Sequence, residues 1–265
     1  MTPGAAAREL ALVTGASAGI GREYCRQLAV RGADLILVAR DGERLRELAA
    51  ELTAEHGVAA EVLVADLATD AGVEAVAARI AAAPDLTLLV NNAGFGTTGV
   101  LARADAAQQE QMVRLHVLAP MRLTRAALPG LLALGRGAVV NVSSVAGFIF
   151  GPGSVNYCAT KAYLNTFSEG LAVELAGTGV QAQALCPGFT RSEFHQRMGS
   201  DDGRTRPASM WLTAEAVVRA SLAQLDRRGA VLCIPGFRYR VIVAATRLLP
   251  RRLIGWLAAR KYRRV

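Results

Sequence analysis

"TGASAGIG", Thr14 to Gly21, follows the apolar run "LALV" and leads into a segment of helical character. Glycines at 15, 19 and 21 permit a tight turn and let a ligand come close to the backbone. A helix starting behind such a turn offers free N–H groups and the positive end of its dipole, a combination that holds phosphate. Three glycines alone say little. Between a first strand and a first helix they read as the pyrophosphate turn of a dinucleotide site, with Ser17 and Ile20 in the same loop.

Outward from that turn, short apolar runs alternate with longer helical patterns. The runs "DLILVAR", "AEVLVADL", "LTLLVNNAG", "GAVVNVSS", "VQAQALCPG" and "AVLCIPG" are apolar throughout, as strands buried on both faces must be. Residues 19–32, 41–56, 70–83, 105–134, 154–177 and 213–227 read as helices, with Asp41, Asp70 and Thr213 as N-caps and Gly57 as a C-terminal stop. Strict alternation predicts an α/β fold: one doubly wound parallel sheet, Rossmann-like, with helices on both faces. A single domain over 1–237 is expected, followed by a basic, apolar helical extension over 238–265. In such sheets ligands bind beyond the carboxyl ends of the strands. Residues 189–212 have no clear period and read either as a substrate lid or as a disordered loop.

Two further stretches carry chemistry. Where an NAD site usually has an acid at the end of its second strand, this chain has Ala39 followed by Arg40. A guanidinium there suits the 2′-phosphate of NADP(H), and a surface pair with Asp41 or Glu43 is the alternative. "YCATK", residues 157–161, sets Tyr157 and Lys161 one helical turn apart on one face. On its own the pair also fits a half-buried helix whose lysine reaches to water.

Asp66-Leu67 after the third strand, "NNAG" at 91–94, "NVSS" at 141–144, Y-x-x-x-K at 157–161 and "CPGFTRS" at 186–192 follow the glycine turn in order. With these motifs the chain resembles the short-chain dehydrogenase/reductase family over about residues 8–236. The resemblance implies that Ser144, thirteen residues before the tyrosine, completes a catalytic set with Tyr157 and Lys161. It also implies that Asp66 and Leu67 border the adenine. Asn91 and Gly94 would shape the floor beside the ribose, with Asn92 and Ala93 in the same cofactor-binding stretch and Tyr157 and Lys161 alongside. Pro187, Gly188 and Thr190 would contact the nicotinamide end. Where the family has a catalytic Asn whose carbonyl holds a water, this chain has His116. Pro120, four residues on, has no N–H to occupy that carbonyl, so the role survives or the imidazole is a packed helix residue.

A phenol of ordinary pKa is a slow acid at neutral pH, and the expectation is that Lys161 lowers it. The implied reaction is NADPH-dependent reduction of a carbonyl, or oxidation of the alcohol, with Tyr157 as general acid/base. Phe148, Ile149, Phe150, Phe194, Met198, Met210 and Trp211 make an apolar substrate the expectation. The rival reading is a catalytically impaired regulatory or interaction protein on the same fold. Apolar residues on two sides of 154–177 point to a homodimer or homotetramer.

Composition narrows the rest. Of 265 residues, 52% are hydrophobic and 20% charged, enough for an extensive core. Four scattered cysteines and three histidines form no ligand motif, so no metal is expected and the thiols read as core residues of a reducing compartment. The net charge of +8 sits in the tail: nine Arg/Lys and no acid follow Phe237. That distribution argues against nucleic acid as a partner. The expectation is a cytoplasmic enzyme whose tail either covers the pocket or a partner subunit, or rests on an anionic membrane.

Overall fold

The computed structural model describes residues 8–193 and 207–262. Strands β1 (Leu10–Thr14), β2 (Asp34–Ala39), β3 (Ala60–Val64), β4 (Leu86–Asn91), β5 (Gly137–Val142) and β6 (Val180–Leu185) form most of one sheet. The expected strand near 230–236 is reduced to a two-residue edge, Leu232–Cys233. Its order is β3-β2-β1-β4-β5-β6-edge, with every pairing parallel. The order reverses at β1, so the ligand crevice opens between the carboxyl ends of β1 and β4.

Alternation along the strands builds a core on each face. Ala11, Val13, Leu35 and Leu37 pack with Tyr24, Cys25 and Leu28 of α1 (Gly19–Val30) and with Leu45, Leu48 and Leu52 of α2 (Gly42–His56). Leu12, Ile36 and Val38 face Val73, Val76 and Ile80 of α3 (Asp70–Ala81) instead. Each of these Leu, Ile and Val side chains, fully buried, contributes about 1.5–3 kcal/mol. All four cysteines are free and buried, as core residues should be.

The helix ends follow local chemistry. Asp41 caps α2 by accepting the Arg44 N–H (3.1 Å), and Gly57 ends it at φ 64°. The cap of α3 is Thr69, not Asp70: its hydroxyl accepts the Gly72 N–H at 3.1 Å. Thr69 comes first in sequence and still has extended backbone, so it reaches the free donor while Asp70 is already helical.

The predicted helix over 105–134 is three pieces. Asp105 caps α4 (Ala106–Val113), a π turn spans Arg114–Leu118, and α5 (Ala119–Leu134) completes the rod. At the π turn the Ala119 N–H donates to the carbonyl of Arg114, five residues back. Pro120 explains it: the ring lacks an N–H and would clash with the carbonyl of residue 116, and the wider turn relieves both. This 29-residue rod is long and apolar enough to cross a membrane. One face of it is core, with Leu123, Ala127 and Leu131 at most 3% exposed against the sheet.

Helix α6 (Val155–Glu174) buries Leu164 and Leu171 and leaves Gly170 and Val173 outside. Past it, Thr190–Arg191 pairs in parallel with Leu212–Thr213, tying the two ends of the irregular segment together. Phe194 and Met198 of the expected lid lie outside the described residues. Then come α7 (Ala214–Asp226), capped by Thr213, α8 (Phe237–Leu248) and α9 (Arg251–Tyr262).

Candidate active site

A cavity of about 1080 Å³ lies along the carboxyl ends of the strands. At one end Gly15 (φ 66°) and Gly19 (φ 54°) make the turn that opens α1. A Cβ on Gly21 would lie 2.2 Å from the Gly15 carbonyl oxygen, and one on Gly15 would lie 2.7 Å from Asn92 Nδ2. Only glycine fits either place. No side chain caps α1 and its first turn carries no acid, which leaves its N–H groups to an anion. Ser17, Ile20, Arg40, Asp66, Leu67, Ala93 and Gly94 all line the same cavity. Arg40 makes no ion pair among the described residues, while neighbouring Asp41 is taken by Arg44 at 3.5 Å.

At the other end, β5 delivers Ser143 and Ser144, and α6 delivers Tyr157 and Lys161. Ser143 Oγ donates to the Lys161 carbonyl (2.8 Å), locking strand end to helix. Ser144 Oγ accepts the Ala146 N–H (3.1 Å), which leaves its own proton for the Tyr157 oxygen. The Lys161 ammonium donates to the Val142 carbonyl (2.8 Å) and lies 5.7 Å from the centre of the Tyr157 ring. Burial pulls Lys161 down to about 8. The phenol departs from expectation. Burial pushes Tyr157 up to about 12, against the lowering effect of its hydrogen bond with Ser144. Desolvation dominates because a phenolate loses more on leaving water than one hydrogen bond returns.

His116 is not part of the cavity wall. Its Nε2 accepts the Phe95 N–H at 3.1 Å, and Nδ1 lies 3.1 Å from Thr160 Oγ1. An amide can only donate, and the Thr160 hydroxyl already donates to the Tyr157 carbonyl (3.0 Å). The ring therefore carries its proton on Nδ1. Burial, helped by the Lys161 charge, holds it neutral by pushing its pKa well below the usual value. The imidazole fastens the Gly94–Phe95 loop to α6, and a Cβ on Gly94 would sit 2.8 Å from its Nε2.

Two asparagines also have structural work. Asn91, expected in the floor, points into the core and donates to Asn141 Oδ1 (2.9 Å) and Thr124 Oγ1 (3.2 Å). Asn92 borders the cavity, yet its amide donates to the carbonyls of Thr14 (2.8 Å) and Gly15 (3.2 Å). Its Nδ2 braces the glycine turn.

The tail covers the pocket, one of the places expected for it, through residues that the sequence reading did not name. Tyr239, Ile242, Val243 and Thr246 of α8 line the cavity beside Pro187, Gly188 and Thr190. Tyr239 lies so close over Gly188 that a Cβ there would fall 1.9 Å from its ring. Its hydroxyl accepts the Phe189 N–H (2.9 Å) and donates to the Met210 carbonyl (2.5 Å). Positions 239, 243 and 246 have the i, i+4, i+7 spacing of one helical face, the signal that was available.

A family model described as short chain dehydrogenase matches residues 9–203. A short-chain dehydrogenase from Sphingobium yanoikuyae, solved in complex with NADPH, is 39% identical. The match covers 90% of this chain and 94% of that one, with a TM-score of 0.82. The bulky-bulky ketone specific alcohol dehydrogenase from Comamonas testosteroni is 33% identical over 90% of this chain and 92% of that one, at 0.78. The very-long-chain 3-oxoacyl-CoA reductase of Anas platyrhynchos is 31% identical over 85% of this chain and 72% of that protein. The glycine cradle, the Ser144, Tyr157 and Lys161 cluster and these matches agree: the chain is an oxidoreductase belonging to the short-chain dehydrogenase family.

Proposed function

We propose that the protein is an NADPH-dependent reductase of an apolar ketone or aldehyde, able to run in reverse on the alcohol. The observation that carries this reading is the convergence of Ser144, Tyr157 and Lys161 on one cavity whose far end offers a glycine cradle and Arg40. The cradle fits a dinucleotide, since the turn at Gly15 and Gly19 opens onto the uncapped N-terminus of α1, whose N–H groups suit a pyrophosphate. Arg40 would grip the 2′-phosphate, Asp66 and Leu67 would flank the adenine, and Ala93, Gly94 and Pro187–Thr190 would bound the remainder. NADPH, when bound, supplies the hydride that reduces the carbonyl carbon.

The chain's own groups manage the oxygen. Ser144 donates a hydrogen bond to it, and Tyr157 transfers its phenolic proton as the C–O double bond becomes a C–O single bond. The phenolate left behind faces the Lys161 ammonium, which is charged at neutral pH with a pKa of about 8. Lys161 also has two N–H bonds beyond the one to Val142, enough to hold ribose hydroxyls. His116, neutral and bonded at both nitrogens, positions the loop and passes no proton. Ile149, Leu115 and Ile242 make the substrate end apolar. The outer side of α6, with Gly170 and Val173, would be the contact of a homodimer or homotetramer.

Oxidation of NADPH with a panel of bulky and linear ketones and aldehydes tests the reading. Turnover of apolar carbonyls is expected. Cofactor binding without turnover of any carbonyl, or of its alcohol with NADP, would leave only a nucleotide-binding regulatory protein.

A further inference from the structure

The rim of the cavity is made by the tail. Ile242 and Ile149 both line the cavity, and each remains 41% exposed. Phe150, beside Ile149, packs against Gly255 of α9, so that helix continues the rim. Leu249, just before α9, and Leu253 and Trp256 on it are exposed too, Trp256 at 55%. Isolated exposed apolar residues are ordinary on a soluble protein, whereas a contiguous set around a cavity mouth marks a contact surface.

Charge decides what it contacts. The segment after Phe237 has nine Arg/Lys and no acid. Among the described residues Arg247 is paired with Glu169 (3.8 Å), while Arg240, Arg252 and Arg260 make no ion pair. Arg240 and Arg260 lie over the rings of Phe237 and Trp256, at 6.0 and 5.3 Å. Cation beside aromatic ring, at the edge of an apolar surface, is the side-chain pattern of a membrane interface. A second copy is disfavoured, because a two-fold contact would set this acid-free patch against itself. Neither helix spans a bilayer: each has twelve residues, about 18 Å, against about 30 Å of hydrocarbon.

We propose that α8, α9 and the Ile149–Phe150 loop form a docking surface for an anionic lipid bilayer, which sets the mouth of the cavity against the membrane. Resting on the reading that the substrate is apolar, this gives it a source: a carbonyl compound dissolved in the lipid enters the cavity without crossing water.

Sedimentation with vesicles tests the surface without turnover, so its failure and failure of the reductase reading remain distinguishable. The full chain is mixed with vesicles of phosphatidylcholine alone or of phosphatidylcholine with phosphatidylserine, at low and high salt. Sedimentation with the anionic vesicles at low salt, and release at high salt, is expected. Each basic residue removed should weaken binding about fivefold, so the triple variant Arg240→Glu, Arg252→Glu, Arg260→Glu should lose at least about a hundredfold. All three positions are exposed, and an unchanged melting temperature would show that the variant folds. Trp256→Ser should weaken binding to the anionic vesicles at low salt. Retention in the supernatant with anionic vesicles at low salt would overturn the proposal and leave an acidic protein or a second copy as the occupant. Equal binding to neutral vesicles, or a triple variant that binds as the parent does, would overturn it as well.

Discussion

At the scale of single residues, the cluster is defined by which groups give up protons. Tyr157→Phe removes the proposed acid and keeps the ring, so turnover should fall ~10²-fold or more while NADPH binding, followed by fluorescence, stays unchanged. Comparable turnover would make Tyr157 structural. Lys161 sets a pH limit of its own. Its ammonium is lost as pH rises through about 8, so kcat/KM for NADPH, which reports the free enzyme, should decline above that value. A profile flat to pH 10 would remove Lys161 from cofactor binding. At the other end of the cavity, Arg40 should give at least ~10-fold preference for NADPH over NADH, since a charge-assisted phosphate contact contributes ~1.4 kcal/mol or more. Arg40→Ala should erase that preference in steady-state kinetics, and equal use of both cofactors by the parent protein would show the contact is absent.

At the scale of elements, α8 shows how a segment with little sequence signal becomes part of a site. It docks because Gly188 has no side chain and Tyr239 occupies the space. Its hydroxyl then satisfies the Phe189 N–H and the Met210 carbonyl, one at each end of the irregular segment. Gly188→Ala should drive the Tyr239 ring out and release α8. Trypsin should then cut after Arg240 or Arg247 much faster than in the parent, and the substrate KM should rise. Unchanged proteolysis would mean that α8 is held elsewhere, through Arg247 on Phe148 and Glu169. The π turn is the opposite case, a feature announced by one residue, Pro120, whose consequence is local geometry rather than a boundary.

For the whole molecule, pH stability follows from groups far apart in the chain. His116 is held neutral when folded, so below the ordinary imidazole value near 6.5 the unfolded chain binds the extra proton. Stability should fall as pH drops from there. On the alkaline side, burial raises Cys25 and Cys186 strongly and Cys233 to about 12. The unfolded thiols ionise near 9 and the folded ones do not, so stability should also fall above about pH 9. Lys161, lowered to about 8, acts the other way between 8 and 10.5, one group against four thiols, since burial raises Cys158 as well. Urea midpoints from pH 5 to 10.5 should trace a plateau between those limits. His116→Asn should flatten the acid side, and an unchanged acid slope in that variant would assign it to other groups.

The glycine turn, the alternating apolar runs and the Tyr-x-x-x-Lys helix were legible in the sequence, because each rests on periodicity or on a backbone conformation that few residues can adopt. Gly15 at φ 66° and Lys161 one turn from Tyr157 need no knowledge of the rest of the chain. Three things were decided only by tertiary structure. Asn91 turns to Asn141 and Thr124 because the neighbouring strand and helix bring acceptors to its buried amide. The pKa of Tyr157 rises rather than falls, since the loss of water around it depends on everything packed near it. Of the places expected for the tail, the ceiling of the cavity was chosen because Gly188, some fifty residues earlier, leaves room for one ring; the spacing along α8 marks an inward face and does not say what that face meets.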